Sequence, residues 1–470
     1  MQFVRKIPIS SIRAISEIVP HISQSRPYDK GRPVLNGTIG EPTHLVEPEV
    51  VDAMQEVLES YRKTPCGYTS FFGEPEYRMR LAAVINKEYT SLEGIEPDYK
   101  MENTLMSVGA TSGMQAAILA LSDKNVPTLT PSPFYLMYQP QAGWAGANLI
   151  GMDTSEFGYK ITPNILEQYL NALCDQQKVA PGEVRANVLF NYPGNPIGTV
   201  LNADEWHGIA EVLRKYPKVN IMMDEIYRDI IVNQNSDGQP KQYISLLHVA
   251  PDLKDRTLLF LSGSKGTALA GERIGTVIGP TEAIEAIAKK QFSMLGHPSR
   301  MSQAGFVKGM ELLSQSPDLR KKISDFYKSR VDVVKQGLGD AAISTDIEGA
   351  FYIVADLKKM IGRSFSPAAR EYIRQHPANF EGLDTDTIQN DRQIALHLLF
   401  EHGVAITPGS AFGFKPDDGK MRIACTASPE QLKELTAEVR NALDGPEIKP
   451  GVGPILATVA HRPRNFLRGG

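Results

Sequence analysis

The sequence has little cysteine and no histidine pattern typical of a metal site. Three cysteines, Cys66, Cys174 and Cys425, are spread over 470 residues with no close pair. This spacing predicts neither a disulfide framework nor a zinc site. The nine histidines include no H-E-x-x-H pair. We therefore expect no metal site and a reducing, cytoplasmic setting.

Long apolar runs and a strong charge imbalance are also absent. No run approaches the ~20 apolar residues that cross a bilayer, and charged residues interrupt 1–20, so we expect neither a membrane span nor a signal peptide. The 50 basic and 54 acidic residues give a net charge of −4. This charge offers no electrostatic case for nucleic acid or an anionic membrane as a partner.

The apolar pattern changes near residue 310. Before it, short apolar runs alternate with helical patterns, as in a parallel sheet covered by helices on both faces. After it come a long helical pattern, Ser316–Leu338, and an apolar run, Gly349–Val354. We therefore predict an α/β protein with a large, mostly parallel sheet domain and a smaller α+β domain. The predicted divisions are an N-terminal arm with part of the small domain (1–61), the large domain (62–310), the small domain (311–445) and an extended tail (446–470).

Apolar residues at helical spacing predict further helices. They cover Val50–Tyr61 and Asp204–Arg214, the second capped by Asn202 or Asp204. Two more are expected around 390–402 and 429–443.

The segment around Lys265 is the most informative part of the chain. It follows the apolar run Thr257–Leu261, and Arg273 lies eight residues after the lysine. A lysine at a strand end, near hydroxyls and an arginine, suits a Schiff base with an aldehyde cofactor that carries a phosphate. Ser262 and Arg273 are suited to the phosphate. An exposed lysine in a Ser/Gly loop is the structural alternative.

Two other apolar runs also end in polar clusters. Asn191–Gly198 follows Val188–Phe190, and Asp224–Tyr227 follows Val219–Met223. The series of amide, carboxylate with phenol, and lysine resembles the fold-type I aminotransferases of class I and II, which use pyridoxal 5′-phosphate (PLP). The resemblance covers roughly residues 35 to 440. It implies a three-layer PLP-transferase fold and a homodimer.

The resemblance assigns cofactor contacts to individual positions. Asp224 matches the carboxylate that keeps the pyridine nitrogen protonated, and Tyr227 and Asn195 match the groups that share the ring oxygen. Lys265 matches the lysine that carries the cofactor and removes the Cα proton. The remaining matches are the phosphate-binding helix start at Gly109, Ala110 and Thr111, the ring-stacking Tyr135, and the phosphate ligands Ser262 and Arg273.

Other positions concern the substrate and the second subunit. Arg422 matches the arginine that binds the α-carboxylate, with Asn195 beside it, and Gly40 lies in a segment whose backbone covers the substrate. Tyr68 matches a tyrosine that reaches the neighbouring subunit's phosphate. Each match has a structural alternative: a turn or cap residue for Asp224 and Asn195, a packing aromatic for Tyr227, Tyr135 and Tyr68, and a surface ion pair for Arg422.

Three positions depart from the family pattern. Ile197 replaces a threonine, Gly263 stands where an aromatic or leucine is common, and Glu272 precedes the phosphate-binding arginine. The predicted reaction is transfer of an amino group from an L-amino acid to a 2-oxo acid, as the resemblance implies. Because of the three departures an alternative stays open, in which the carbanion is diverted to elimination, replacement, decarboxylation or oxidation. A PLP-binding regulator is a third class; it usually carries a DNA-binding module, and none is expected before residue 35. The sequence does not reveal which amino acid is used.

Overall fold

The structure is a computed structural model that describes residues 33–343, 346–377 and 380–445. Residues 1–32 of the predicted arm and the whole predicted tail lie outside the described residues. The strands, numbered in chain order, are β1 (Leu35–Asn36), β2 (Thr104–Ser107), β3 (Thr128–Ser132), β4 (Leu149–Asp153), β5 (Ala186–Asn191), β6 (Val219–Asp224), β7 (Thr257–Ser262), β8 (Gly275–Ile278), β9 (Tyr352–Asp356), β10 (Val404–Ala405), β11 (Thr407–Pro408) and β12 (Lys420–Ala424).

A seven-stranded sheet organises the first part of the chain. Its order is β2-β8-β7-β6-β5-β3-β4, with β8 antiparallel to both neighbours and every other pair parallel. The central strands are buried along most of their length, which is why they read as continuous apolar runs rather than alternating ones. The predicted α/β class with a mostly parallel sheet is confirmed.

Two smaller sheets are built largely from the second part. β11, β12 and β9 form an antiparallel sheet in that order, and β1 pairs in parallel with β10. The α-helices are Pro48–Ser60, Pro75–Glu88, Gly109–Leu121, Tyr138–Trp144, Pro163–Gln177, Ala203–Arg214, Leu246–Val249, Thr281–Leu295, Arg300–Gln315, Pro317–Leu338, Pro367–Gln375, Asp391–His397 and Pro429–Asp444. Shorter helical turns are Met101–Asn103, Ser155–Phe157, Pro181–Glu183, Pro251–Arg256, Gly339–Ala341, Lys358–Met360, Leu398–His402, Gly409–Phe412 and Pro416–Asp418.

Side-chain caps explain where several helices begin. Asn202 accepts from the Glu205 backbone N–H and Glu205 bonds back to Asn202, a capping box that decides between the two predicted caps. Ser316, predicted as the first helical residue, instead caps Pro317–Leu338 by accepting from the Leu319 N–H. The helix predicted around 390–402 is α-helical only to His397 and continues as a π-turn.

Two segments near the N-terminus join different neighbours. β1 pairs with β10 in the second part of the chain, whereas helix Pro48–Ser60 packs against helix Arg300–Gln315. The domain boundaries themselves stay a prediction. In the described part of the chain, no helix is both long enough and apolar enough to span a membrane.

Candidate active site

Three adjacent parallel strands end at one edge of the large sheet. β5, β6 and β7 are neighbours, and Asn191 at the end of β5 lies opposite Asp224 at the end of β6. Asn191 Nδ2 donates to the Asp224 backbone carbonyl at 2.9 Å. Because carboxyl ends of parallel strands share an edge, the three polar clusters meet there.

A cleft of about 430 Å³ opens at this edge. Every predicted site residue lines it except Gly109 and Tyr68: Gly40, Ala110, Thr111, Tyr135, Asn195, Asp224, Tyr227, Ser262, Lys265, Arg273 and Arg422. The structure therefore brings together side chains from segments as distant in sequence as Gly40 and Arg422.

Asp224 is a buried carboxylate with one unused oxygen. Tyr138 donates its hydroxyl to Asp224 Oδ2 at 2.5 Å, while Oδ1 has no hydrogen-bond partner among the described residues. Burial raises the pKa of Asp224 to about 6, although the bond from Tyr138 opposes the shift. A buried oxygen without a donor suits a cationic N–H from a bound molecule.

Lys265 points its amine into the same cleft. Nζ donates to the Gly40 backbone carbonyl at 2.5 Å and lies 5.4 Å from the centre of the Tyr227 ring. Burial, followed by the positive charge of Arg422, lowers the pKa of Lys265 to about 8. A substantial fraction of this amine is therefore neutral, and nucleophilic, near pH 8.

Arg422, which also lines the cleft, is fixed by polar groups. Nη1 donates to Asn195 Oδ1 at 3.2 Å, and Nη2 donates to the Thr38 carbonyl at 2.6 Å. The guanidinium carbon lies 4.6 Å from the Tyr352 ring centre. Nε is buried and has no hydrogen-bond partner among the described residues. Arg422 is thus held in place with hydrogen-bonding capacity left for an anion.

Tyr227 and Tyr352 join the two parts of the chain. Their hydroxyls lie 2.8 Å apart, and burial raises the pKa of Tyr227 well above its ordinary value. A Cβ at Gly40 would lie 2.0 Å from the Tyr352 hydroxyl oxygen, so a larger residue there would collide with it. Glycine is therefore required where the Gly40 segment crosses the cleft.

The start of helix Gly109–Leu121 forms another wall. Gly109 does not line the cleft but lets Arg273 approach it. Its φ of +72° favours glycine, and a Cβ on it would lie 2.7 Å from Arg273 Nη2. The Ala110 and Thr111 positions come next, in the first turn, where backbone N–H groups lack helical partners. Ser262 Oγ accepts from the Ser264 N–H at 3.0 Å. This wall has the donors and the charge that bind an anion.

Sequence reasoning missed two aromatic residues of the site. Tyr138 follows Tyr135 by three residues and starts a helix, but no sequence pattern assigns a role to its hydroxyl. Tyr352 was read only as part of an apolar strand. In the cleft, Tyr135 and Tyr138 pack edge to face with ring centres 5.5 Å apart, and burial raises the pKa of Tyr135 to about 12.

Tyr68 lies away from the cleft of its own chain. Tyr68 is 96% exposed, and its ring meets the His297 ring edge-on, with the two ring centres 5.9 Å apart. An aromatic side chain this exposed is not packed in the core. Within one chain, Tyr68 is not among the described residues that line the cleft.

The three departures from the family pattern have local explanations. Ile197 is buried, and the half-buried Glu272 accepts from the Ser302 hydroxyl at 2.8 Å. A Cβ at Gly263 would lie 2.7 Å from Ile274 Cγ2, so larger neighbours fill the space that a larger residue would take. None of the three lines the cleft.

Comparison with known proteins identifies the relatives of this chain. The family described as aminotransferase class I and II matches residues 32–439. The aspartate aminotransferase of Rhizobium meliloti (strain 1021) is 28% identical over 441 residues, 93% of this chain and 95% of that protein. The aspartate/prephenate aminotransferase of Cereibacter sphaeroides is 26% identical over 413 residues, 87% of this chain and 91% of that protein.

Solved structures agree with the sequence relatives. The crystal structure of an aspartate aminotransferase from Rhizobium meliloti superposes with a TM-score of 0.76 at 25% identity, covering 94% of this chain and 99% of that one. The likeness extends over both parts of the chain.

Proposed function

This chain belongs to the aminotransferase class I and II family and catalyses amino-group transfer; from that premise we propose that PLP is its cofactor and that an L-amino acid and a 2-oxo acid are its substrates. The observation that carries the proposal is the buried, unpartnered Oδ1 of Asp224 in a cleft that also contains the Lys265 amine.

The residues present fit PLP at four points. Asp224 Oδ1 offers a buried acceptor for a protonated ring nitrogen. Ala110, Thr111, Ser262 and Arg273 would hold the phosphate at the helix start. Lys265 supplies the amine that would bond to the aldehyde, and Tyr135 supplies a ring to stack on.

When bound, PLP supplies an aldehyde that bonds to amines and a ring that accepts electrons. The residues of the chain then position the substrate and move its protons. Once the substrate amine had replaced it on the aldehyde, a neutral Lys265 Nζ would accept the Cα proton of the substrate as general base, and its lowered pKa makes this possible near neutral pH. Tyr227 and Tyr352, both buried, help to exclude water from this side of the cleft.

Arg422 is the proposed binding group for the substrate α-carboxylate. Its bonds to Asn195 and Thr38 fix the guanidinium, while the buried Nε keeps an unused donor. A carboxylate in this position would accept charge-assisted hydrogen bonds. Arg422 therefore orients the amino acid, with its Cα toward Lys265.

The relatives' names suggest aspartate as the first substrate to test. Among the described residues, the cleft is lined by three basic side chains, Lys265, Arg273 and Arg422, and each already has a proposed role. A distal carboxylate would therefore be bound by a group from outside this set, such as a residue of a second subunit.

We also propose a homodimer with shared sites. Tyr68 is exposed and does not line its own cleft, as expected of a residue that serves a neighbour. Phe292 and Leu295, on the helix before the Tyr68 partner His297, are 59% and 52% exposed. These apolar side chains suit a surface covered by a second copy.

Subunit mixing tests the shared site. Tyr68→Ala and Lys265→Ala are each expected to be severely impaired, and the two variants are unfolded and refolded together. If Tyr68 acts on the neighbouring site, one site of each mixed dimer is intact and activity returns. Activity that does not return on mixing, or a fully active monomer, contradicts the shared site.

The chain is proposed to work in the cytoplasm. Cys66, Cys174 and Cys425 are all free, as expected in a reducing compartment. Fractionation of cells that produce the natural protein would test this directly.

A single-turnover experiment tests the reaction. PLP-loaded enzyme is mixed with aspartate, and separately with other amino acids, without any 2-oxo acid. Amino transfer predicts one 2-oxo acid per active site, without release of ammonia or carbon dioxide and without oxygen uptake. Release of ammonia, release of carbon dioxide or uptake of oxygen would instead support the carbanion-diverting alternative. Lys265→Ala, treated identically, is the control.

A further inference from the structure

A second cavity, of about 530 Å³, shares no lining residue with the cleft. It lies beside the segment that follows β6, and its wall includes Arg228 and Asp229. The stretch from Asp224, the last residue of β6, to Asp229 therefore supplies Asp224 and Tyr227 to the cleft and Arg228 and Asp229 to this cavity.

The lining of this second cavity is positively charged. Four basic side chains, Lys87, Arg228, Lys241 and Arg320, face two carboxylates, Glu88 and Asp229. His248 adds no charge near neutral pH, because burial lowers its pKa. The whole protein carries a net charge of −4, so this local excess of positive charge is opposite in sign to the protein as a whole.

Arg228 is the central feature of the cavity. Its side chain is 6% exposed, and its Nε and Nη1 have no hydrogen-bond partner among the described residues. Nη2 pairs with Glu88, and Asp229 Oδ1 lies 3.8 Å from Nε, beyond hydrogen-bond distance. The guanidinium carbon lies 4.7 Å from the centre of the Tyr89 ring. A buried guanidinium with two unused donors is costly unless an acceptor completes it.

The carboxylates present do not meet this demand. Glu88 is shared between Arg228 and Arg320, whose Nη2 donates to the same oxygen at 2.5 Å. Asp229 lies 3.6 Å from Arg320 Nη2. Within the described residues, Lys87 and Lys241 form no ion pair. The side chains that line the cavity therefore carry two more positive than negative charges; Glu225, which does not line it, also favours the charged form of Arg228.

We propose that this cavity binds a small organic anion through carboxylate or phosphate oxygens that accept from Arg228. Its volume lies within the usual range for small-molecule sites. Ile231, Pro240 and Leu313 give it an apolar side that suits the carbon portion of such a ligand. The proposal does not depend on the reaction in the cleft.

Calorimetric titration of the PLP-loaded enzyme tests the proposal, with inorganic phosphate and succinate as separate probes. Two measures keep the probes out of the cleft. Bound PLP fills the phosphate position of the cleft, and the Arg422→Ala variant lacks the proposed carboxylate-binding group of the cleft. We expect at least one probe to bind in both backgrounds, and the better probe identifies phosphate or carboxylate as the preferred group.

Two variants locate the bound probe. Arg320→Gln and Lys241→Glu should each weaken binding by about tenfold or more, the loss expected for one charge-assisted contact. Lys241 is exposed, and its side chain makes no hydrogen bond or ion pair with a described residue, so its replacement tests the site even if Arg320→Gln perturbs folding. Lys124→Glu, the same charge change at an exposed lysine outside the cavity, should leave binding unchanged.

Three results would overturn the proposal. One is that neither probe binds. Another is that binding disappears in Arg422→Ala, which would place the anion in the cleft. The third is an equal loss of affinity in Lys241→Glu and Lys124→Glu, which would indicate only a general effect of surface charge.

Discussion

Asp224 and Glu225 are adjacent carboxylates with opposite hydrogen-bonding states. Both are buried, and burial raises the pKa of each. Glu225 accepts from Tyr89 at one oxygen and from Ser245 at the other, at 2.5 Å. Asp224 accepts from Tyr138 at one oxygen, and its other oxygen has no partner among the described residues. Unused hydrogen-bonding capacity, rather than burial or charge, therefore separates the carboxylate suited to a ligand from the one that supports the fold.

Two of the three arginines that are buried among the described residues show the same feature at different places. Arg422 in the cleft and Arg228 in the second cavity each keep at least one unpartnered nitrogen. By contrast, Arg78 donates from Nε to the Thr104 carbonyl at 2.9 Å and from Nη2 to the Met101 carbonyl at 2.7 Å, as expected of an arginine that holds the chain together.

The largest predicted effect separates the two adjacent carboxylates. Asp224→Ala should lower turnover at least ~100-fold, because it removes an electrostatic group at the reacting centre. Glu225→Gln should keep turnover within a few-fold but lose about 1–3 kcal/mol of unfolding free energy, because its network loses an acceptor. Steady-state kinetics and urea unfolding of both variants measure this. Equal losses of turnover would remove the distinction.

The next effect is a pH dependence of stability in the cofactor-free protein. The pKa of Asp224 rises from 3.8 unfolded to about 6 folded, so the folded state holds its proton more tightly. The contribution of Asp224 to the free energy of unfolding is therefore fully present below about pH 4 and is lost as the pH rises to about 6, a change of about 3 kcal/mol. Asp224→Asn should lack this component.

Urea unfolding of cofactor-free protein at about pH 4 and about pH 7 measures the difference. The Asp224→Asn variant should gain stability relative to the natural chain at the higher pH. A difference between the two proteins that is independent of pH would show that Asp224 titrates normally. Saturation with PLP should reduce the difference, because a cationic ring nitrogen would favour the charged carboxylate.

The smallest predicted effect concerns Tyr138. Tyr138→Phe removes the donor to Asp224 Oδ2 and should lower turnover about tenfold, the loss of one hydrogen bond to a charged group. The pH profile should shift as well, since the carboxylate loses a bond that favours its charged form. Tyr216→Phe, which removes a 2.8 Å bond to Asn171, is a matched control expected to keep turnover. Equal activity of both variants would deny Tyr138 a positioning role.

The sequence predicts the sheet edge better than the contacts made there. Strand ends at Asn191, Asp224 and Ser262 follow from apolar runs and the rule that parallel strands share an edge. The pairing of Asn195 with Arg422, 227 residues later, depends on how the two parts of the chain pack, which no local pattern records. The resemblance to a family supplied Arg422 as a candidate, and only the structure shows its contacts.

The same limit applies to the second cavity. Glu88 pairs with Arg228, which lies 140 residues later in the sequence, and with Arg320, which lies 232 residues later. In the sequence alone, each of the three looks like an ordinary surface charge. Tyr138 escapes prediction for a different reason, because the sequence around a tyrosine gives no sign that its hydroxyl meets a distant carboxylate.

Borohydride reduction of the PLP-loaded enzyme tests the central claim most directly, that this cleft holds the cofactor on Lys265. Reduction fixes a cofactor that is bonded to a lysine amine, and peptide mapping then identifies the lysine. We predict one pyridoxyl group per chain on Lys265, none on Lys265→Ala, and loss of turnover in that variant. A label on another lysine, or full turnover by Lys265→Ala, would contradict the account.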